Sequence, residues 1–164
     1  MAVAPQITLV QDSREQCGYG TQGQFSGPFL VSGLAVGDYS VLGLKELIAI
    51  ERKSLPDLLG SLTSGRDRFE AEMRRARHCH KFFLLVECSP KDFLVEDFGK
   101  LSRATPRSVW GTLMTWMTRY HPVIFGVNRQ ISARICEAIL VAYAKEFFKR
   151  TDKISRAAAK IPII

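Results

Sequence analysis

Residues 37–57 of the chain read GDYSVLGLKELIAIERKSLPD. Two apolar segments flank the short loop 43–46, which is typical of a β-hairpin with a four-residue loop. In this register Asp38 faces Glu51, and facing residues point to the same side of a sheet with Cβ atoms about 4.5–5.5 Å apart. Lys53 follows Glu51 by two positions and shares its side. The hairpin therefore predicts that two carboxylates and one ammonium group converge.

The regions around the hairpin predict a mixed sheet covered by helices. Apolar runs at 7–10, 34–42, 47–51, 82–86 and 123–125 favour strands, and the Gly-rich stretch 17–28 favours a loop. Helices are expected after Ser54, Ser64 and Thr105, and over about 129–149. The apolar stripe of the last helix is expected to comprise Ile131, Ile135, Ala138, Ile139 and Ala142. A hairpin followed by alternating helices and strands indicates one α/β domain with helices on both faces, over residues 1–150, followed by a basic tail at 151–164.

The charge is unevenly distributed along the chain. The 164 residues include 23 Lys and Arg against 16 Asp and Glu, a net charge of +7, and 46% are apolar, which excludes a disordered chain. Residues 1–80 hold nine basic and nine acidic side chains, whereas residues 98–134 hold six basic and no acidic ones. A basic surface favours polyanions, of which nucleic acid is the commonest in a cytosol.

Several other classes of protein and site are disfavoured. No apolar run approaches the roughly 18–20 residues that span a bilayer, and the first six residues lack the layout of a secretory signal. We therefore expect no membrane association and a cytoplasmic location, or a nuclear one in a eukaryote. The four cysteines include no Cys-x-x-Cys pair, which disfavours structural zinc. The GxGxxG pattern at 18–23 does not open a helix, which disfavours a dinucleotide site.

The convergent side chains suggest chemistry on phosphodiesters. Neighbouring carboxylates such as Asp38 and Glu51 repel each other unless a cation lies between them, and Mg²⁺ prefers oxygen ligands. A lysine beside such a cation can orient the attacking water and help to hold phosphate charge. Spacing alone leaves a second interpretation open, in which Glu51 and Lys53 are solvated members of a salt-bridged strand.

Five short motifs carry a resemblance to a known family. They read QDSRE (11–15), GDY (37–39), IERKSLPD (50–57), SGR (64–66) and FLLVE (83–87). In order and spacing they resemble the XPF-type structure-specific endonuclease domain, within the PD-(D/E)XK superfamily. The resemblance implies a restriction-endonuclease-like fold, a three-layer α/β/α arrangement with a central mixed sheet.

The resemblance also implies roles for individual residues. Asp38 and Glu51 would ligate Mg²⁺ or Mn²⁺, with the Arg52 carbonyl as a further ligand, and Lys53 would position or activate the water. Asp12 and Glu15 would complete the metal-ligating acids, directly or through water, and Arg14, Arg66 and Arg68 would contact DNA. Asp57 is either a helix cap or a support of the site. The catalytic set implied is Asp12, Asp38, Glu51, Arg52, Lys53 and Asp57.

The function that the resemblance implies is metal-dependent hydrolysis of DNA at branched or single-strand/duplex junctions, such as flaps and forks. Many family members act as dimers and add a tandem helix-hairpin-helix module that holds the duplex. Nothing after Lys149 has the length of that module, so a second copy of the chain or a partner protein is expected to supply duplex contacts. Two other functions stay open: a non-catalytic DNA-binding partner of a nuclease, and a restriction-type nuclease that reads sequence.

Overall fold

Six strands form one mixed sheet in the computed structural model, which describes residues 6–159. The strands are β1 (Leu9–Gln11), β2 (Phe29–Val31), β3 (Tyr39–Val41), β4 (Ile48–Lys53), β5 (Lys81–Val86) and β6 (Val123–Phe125). The helices are α1 (Leu55–Leu62), α2 (Arg66–Arg75), α3 (Pro106–Arg119) and α4 (Arg129–Ala158). Short 3₁₀ turns occupy Ala76–His78, Pro90–Phe93 and Gly99–Leu101. The prediction about a secretory leader lies almost wholly outside the described residues.

The sheet order is β2-β1-β3-β4-β5-β6. Strand β3 runs antiparallel to both β1 and β4, whereas β4, β5 and β6 are mutually parallel, and β1 and β2 are parallel. Tyr39 pairs with Ile50, which confirms the predicted hairpin register. Because β4, β5 and β6 are parallel, their carboxyl ends meet at one edge of the sheet. Side chains that follow these ends are therefore gathered on that edge.

Apolar side chains cover the sheet on both faces, as the alternation of helices and strands predicts. Helices α1, α2 and α3 pack on one face, against Phe82, Leu84 and Val86 of β5. Helix α4 and the Gly-rich segment pack on the other, against Leu85 and Ile50. We call these the α1–α3 face and the α4 face. The two buried layers confirm the predicted three-layer α/β/α architecture.

Helix starts follow the capping residues that the sequence shows. Ser54 accepts a hydrogen bond from the Asp57 amide, and Thr105 accepts one from the Ser108 amide. Asn128 caps α4 in the same way through the Ile131 amide. Each cap satisfies a backbone N–H that has no partner within the helix, so it fixes where the helix begins.

The strand prediction for 34–42 is only partly right, because the strand begins at Tyr39. Gly37 adopts a positive φ of 73°, which bends the chain just before the strand. The Leu34 amide donates to Asp12 instead of to a neighbouring strand. Strand β2 was not predicted; its three residues pair parallel with β1 at the edge of the sheet, with an exposed Val31.

The stripe predicted for the last helix is only partly right. Ile135 and Ile139 are half-buried and pack against the α4-face core, whereas Ile131, Ala138 and Ala142 are exposed. The fully buried positions are Ser132, Ala133, Cys136, Leu140 and Ala144. Small residues let this long helix approach the sheet closely, while the larger isoleucines lie at the margin of the contact. Helix α4 also continues past the predicted end at 149 to Ala158, with residues 151–159 exposed.

Among residues 6–159, no helix combines the length and the apolar character that crossing a bilayer requires.

Candidate active site

Strand register divides the ERK sequence of β4 between the two faces of the sheet. Glu51 pairs with Leu84 and Lys53 pairs with Val86, and both partners belong to the α1–α3 face. Arg52 pairs with Leu85, which belongs to the α4 face. Since side chains alternate along a strand, Glu51 and Lys53 lie on one side and Arg52 on the other.

The site centres on Asp38, Glu51 and Lys53. Lys53 Nζ lies 2.6 Å from Glu51 Oε1, and the Glu51 side chain is only 6% exposed. Asp38 is the residue just before β3, and its Oδ2 atom accepts a hydrogen bond of 2.8 Å from the Arg52 amide. Phe69 of α2 lies under the lysine, with its ring centroid 5.0 Å from Nζ. The structure thus brings together the three side chains that the hairpin register predicts.

Burial and charge shift the pKa values of these groups. Burial raises the pKa of Asp38, and the nearby Glu15 carboxylate raises it further, against the opposing hydrogen bond from Arg52. Burial likewise raises the pKa of Glu51, with a further contribution from the Asp38 carboxylate. Burial lowers the pKa of Lys53, but the Glu51 carboxylate outweighs it, so the net shift is upward. Lys53 therefore stays an ammonium ion near neutral pH.

The donor set fits a hard divalent cation. The half-buried Asp38 and the buried Glu51 lie close together with raised pKa values, and a cation between them would offset both the repulsion and the cost of desolvation. Mg²⁺ is commonly held by one or two carboxylates, with water and substrate oxygens as its other ligands. Within residues 6–159, no group of three or more His, Cys, Asp or Glu side chains is arranged to hold a metal ion. The protein ligands would therefore be the two carboxylates of Asp38 and Glu51, with water and substrate oxygens at the other positions.

Asp12 and Glu15 do not join this pair directly. Asp12 is buried and both of its oxygens are engaged, by the Arg14 side chain at 2.8 and 3.1 Å and by the Leu34 amide at 2.6 Å. Glu15 lies 3.5 Å from the Arg52 guanidinium and accepts a hydrogen bond from the Cys17 amide. Their predicted role as metal ligands stays a prediction.

On the α4 face, Arg52 is the centre of a buried ionic network. Its guanidinium donates to Glu87 Oε2 at 2.9 Å, and Glu87 Oε1 accepts from the Tyr19 hydroxyl at 2.8 Å and from Arg129 at 3.3 Å. Arg52 is only 11% exposed. Its side chain therefore anchors β4, β5, α4 and the Gly-rich segment to one another, behind the acidic pair.

The remaining predicted residues lie nearer the surface. The Asp57 carboxylate accepts a hydrogen bond of 2.6 Å from the Ser54 hydroxyl, which is the arrangement of a helix cap. Arg66 pairs with Glu70 at 3.0 Å, and Arg68 is exposed on the same helix. Arg14 is 72% exposed although it binds Asp12. The three arginines predicted to contact DNA are thus accessible.

Comparison with known proteins decides the family. The model of the ERCC4 domain matches residues 12–139, a range that contains the acidic pair, the ERK strand, helices α1 to α3 and the first part of α4. This chain belongs to the ERCC4 domain family. The resemblance drawn from the five motifs is thereby confirmed. No curated protein matches the chain significantly by sequence.

Solved structures show the same fold in this family. The structure of XPF from Aeropyrum pernix superposes with a TM-score of 0.66 and 21% identity, over 83% of this chain and 61% of that one. The structure of XPF from Aeropyrum pernix in complex with DNA gives a TM-score of 0.66 and 21% identity, over 85% of this chain and 66% of that one. The chain thus spans less than two thirds of the length of these ERCC4-type structures.

Sequence reasoning missed several charged residues near the site. Glu72 of α2 lies close enough to raise the pKa values of both Glu51 and Lys53, and it follows Phe69 by three positions on one helix face. The three-residue spacing from Phe69 is the sequence signal that could have placed Glu72 on the helix face beside the site. The position of Glu87 at the end of the FLLVE strand suggests a further member of the acidic cluster, whereas the structure pairs it with Arg52 on the α4 face. The other partners of Glu87, Tyr19 and Arg129, carry no local signal, because the fold brings them together from distant parts of the chain.

Proposed function

We propose that this chain is a divalent-metal-dependent DNA endonuclease that hydrolyses phosphodiester bonds, with branched or junction DNA as its substrate. The observation that carries the proposal is the Asp38–Glu51 pair, with Lys53 held as an ammonium ion 2.6 Å from Glu51. Membership of the ERCC4 domain family supports it, as does the structural similarity to an XPF protein in complex with DNA.

Each residue has a distinct part in the proposed reaction. Asp38 and Glu51 hold the cation, which when bound would polarise the phosphate and favour ionisation of a water. Lys53 is protonated, so it donates hydrogen bonds to the attacking water or to the phosphate oxygens, and it does not act as a general base. Arg52 holds the strand in place from behind through Glu87 and Glu15. The water oxygen bonds to phosphorus as the water loses a proton to solvent, the bond from phosphorus to one ester oxygen breaks, and that oxygen takes up a proton from solvent as it leaves.

A cleavage panel tests the proposal. Purified protein with Mg²⁺ or Mn²⁺ is offered labelled flaps, forks, Holliday junctions and uninterrupted duplex, and the products are resolved on a denaturing gel. We expect nicking near the junctions and none with EDTA.

Glu51→Gln and Lys53→Met should each reduce the rate of cleavage by at least about two orders of magnitude. Lys81→Met is the matched control, because this exposed lysine lies at the opposite end of the adjacent strand β5. Equal cleavage by Glu51→Gln, Lys53→Met and the parent would overturn the assignment.

One observation favours a second function, that of a non-catalytic DNA-binding partner. The Asp12 and Glu15 carboxylates lie against arginines, so arginine side chains compete with a cation for two of the four predicted metal ligands. Calorimetric titration with Mg²⁺ separates the alternatives. An endonuclease should bind the cation in a manner that Asp38→Asn abolishes, whereas a non-catalytic partner should show no binding that depends on this residue. A single recurrent cut in a library of linear duplexes would instead indicate a nuclease that reads sequence.

A further inference from the structure

Beyond β5 the chain forms an open pocket of about 320 Å³ at the carboxyl edge of the sheet. Most of its lining is apolar, and Leu94 is 84% exposed, more than any other large apolar side chain in residues 6–159. The residues that line it are Pro90, Lys91, Phe93, Leu94, Arg107 and Trp110. We call this the Trp110 pocket. None of these residues has a part in the proposed hydrolysis.

Aromatic rings form the floor of the Trp110 pocket. Trp110 stacks on Phe125 with centroids 5.7 Å apart and planes inclined by 25°. Phe93 lies 5.5 Å from Trp110 and 6.0 Å from Phe125. Contact on one side with Phe125 holds the indole in a fixed orientation while it remains partly exposed. Fixed aromatic surfaces of this kind stack nucleobases, and they do so with little dependence on sequence.

The pocket lies close to the acidic pair. Lys53 pairs with Val86 in the sheet, and Val86 pairs with Phe125. Two strand spacings of about 4.8 Å therefore separate the Lys53 backbone from that of Phe125, roughly 10 Å in all. Residues paired in this way point to the same face, so Phe125 and the pocket above it share the α1–α3 face with Lys53. A single strand of DNA could reach both with few nucleotides between them.

The charges at the rim complement a nucleic acid. Lys91 and Arg107 are the charged residues of the lining, and within residues 6–159 neither forms an ion pair with an acidic side chain. Of the three acids on the same segment, Asp92 and Asp97 accept hydrogen bonds of 2.6 Å from the Ser89 and Gly99 amides, and the exposed Glu96 does not line the pocket. Two free cations beside an apolar, aromatic floor match the two parts of a nucleotide, the phosphate and the base.

We propose that the Trp110 pocket binds one unpaired base of a single-stranded DNA segment, with flanking phosphates on Lys91 and Arg107. The identity of the ligand as DNA rests on the proposed function. The pocket then supplies a preference that the acidic pair cannot supply, because a paired base in a duplex cannot stack on a side chain. It would favour substrates in which a single strand begins close to the scissile phosphate.

Tryptophan fluorescence tests base binding directly. The chain has two tryptophans, and Trp116 is only 2% exposed, so Trp110 dominates any response to a ligand. The protein in EDTA is titrated with single-stranded oligothymidine and with an abasic oligomer of equal length. We expect oligothymidine to quench the emission and to bind roughly tenfold more tightly than the abasic oligomer. Equal affinities, or binding without quenching, would overturn the proposal, since either result indicates contact with phosphates alone.

Paired variants localise the response. Leu94→Ser and Arg107→Gln should each weaken oligothymidine binding several-fold, because one alters the apolar rim and the other removes a phosphate contact. Leu101→Ser and Arg119→Gln are the matched controls: Leu101 is 56% exposed outside the pocket, and Arg119 ends the helix that begins beside Arg107. All four sites are exposed, and thermal melts confirm that each variant is folded. Equal effects in variants and controls would contradict the assignment.

The same titration separates this proposal from the proposed function. Glu51→Gln should lose cleavage but keep the quenching by oligothymidine. If the parent fails to cut any DNA yet oligothymidine quenches it, the nuclease proposal is wrong and the base pocket stands. If the parent cuts junctions but oligothymidine gives no quenching, the base pocket is wrong and the nuclease proposal stands.

Discussion

At the scale of single residues, the position of Asp38 suits the binding of a cation but destabilises the metal-free fold. The carboxyl of Asp38 is largely removed from water and lies near the Glu15 carboxylate, so its pKa in the folded chain is raised above that in the unfolded chain. A carboxyl with a raised pKa favours the unfolded state at every pH above its unfolded value, because only the unfolded chain ionises it without penalty. The metal-free protein therefore carries a cost at neutral pH that a bound cation would offset.

Asp38→Asn should accordingly stabilise the metal-free protein. The amide oxygen can keep the hydrogen bond from the Arg52 amide, while the repulsion from Glu51 is lost. We expect a gain of about 1 kcal/mol, or about 2–4 °C in the melting temperature at pH 7 in EDTA. Mg²⁺ should then raise the melting temperature of the parent but not that of the variant. Differential scanning calorimetry with and without the metal measures both effects.

Asp12 provides the control of opposite sign. Although burial raises the pKa of Asp12, hydrogen bonds from the Arg14 side chain and amide and from the Leu34 amide outweigh it, and the net shift is downward. Its stabilising contribution is present above the unfolded pKa and is lost as the pH falls through the folded one. Asp12→Asn should therefore lower the melting temperature at pH 7. A decrease in both variants would show that the raised pKa of Asp38 does not govern its effect.

The contrast between these two acids also shows what the sequence could predict. The pairing of Asp38 with Glu51 follows from the two-residue period of strands and from the loop length, both of which are local. The environment of Asp12 depends on Leu34, more than twenty residues away along the chain. Nothing local marks that contact, so the sequence could not show that the Leu34 amide and Arg14 occupy both oxygens of Asp12.

At the scale of elements, the Gly-rich segment 17–28 is a firmly held loop. The Gln11 side chain accepts hydrogen bonds from the Gly20 and Thr21 amides at 3.0 and 3.2 Å. Tyr19 stacks on Tyr39 with centroids 4.9 Å apart. A Cβ atom at Gly18 would overlap the Gln11 side chain, so close approach explains a glycine of the GxGxxG pattern. The rejection of a dinucleotide site on grounds of sequence agrees with this packing.

Glu137 of α4 anchors the far end of that loop. Its carboxylate accepts hydrogen bonds from the Ser26 amide and hydroxyl and from the Gly27 amide, at 2.8–3.2 Å. Glu137→Ala should lower the local opening free energy by about 1–2 kcal/mol, so that exchange of these two amides becomes about 5–30-fold faster. Hydrogen exchange followed by NMR measures it. Glu146→Ala, an exposed glutamate on the same helix, should leave the loop unchanged.

The same anchor predicts a pH dependence. Burial raises the pKa of Glu137, but the hydrogen bonds from Ser26 and Gly27 outweigh it and lower the pKa overall. The anchor is therefore complete above the ordinary glutamate pKa of about 4.3 and is released as the pH falls through the lower folded value. The NMR amide shifts of Ser26 and Gly27 should titrate with a midpoint below the one that the same method gives for an exposed, unpaired glutamate in a short peptide. A midpoint at or above that of the peptide would contradict the anchoring role.

The error in α4 has a physical cause at the same scale. The sequence offers two apolar stripes on one long helix, one rich in isoleucine and one built of Ala133, Cys136, Leu140 and Ala144. Side-chain hydrophobicity favours the first stripe, but the distance between helix and sheet selects the second. That distance is a property of the assembled layers, so periodicity alone could not decide between the two.

At the scale of the whole molecule, the fold was predictable because many separate signals along the sequence indicate the same architecture. Alternating apolar segments and capped helices are each weak, yet together they specify a mixed sheet with helices on both faces. The edge strand β2 escaped prediction since only three residues form it, and they pair with β1 through the anchored loop. Its existence depends on that tertiary contact more than on its own sequence.

The end of α4 extends beyond the packed part of the molecule. Residues 151–159 are exposed, and their ion pair, Arg156–Asp152, joins two residues of this same segment. A chain that ends at Arg150 should thus unfold within about 0.5 kcal/mol of the full chain, since exposed residues of this kind contribute little. Thermal and urea unfolding measure the difference.

A chain that ends at Lys145 is the contrasting variant, because it also removes Phe147 and Phe148, which pack against the α4-face core. We expect a loss of several kcal/mol there, as for other large aromatic truncations. Equal destabilisation by both truncations would show that the exposed segment belongs to the folded unit, and residues 1–150 would then not be a complete domain.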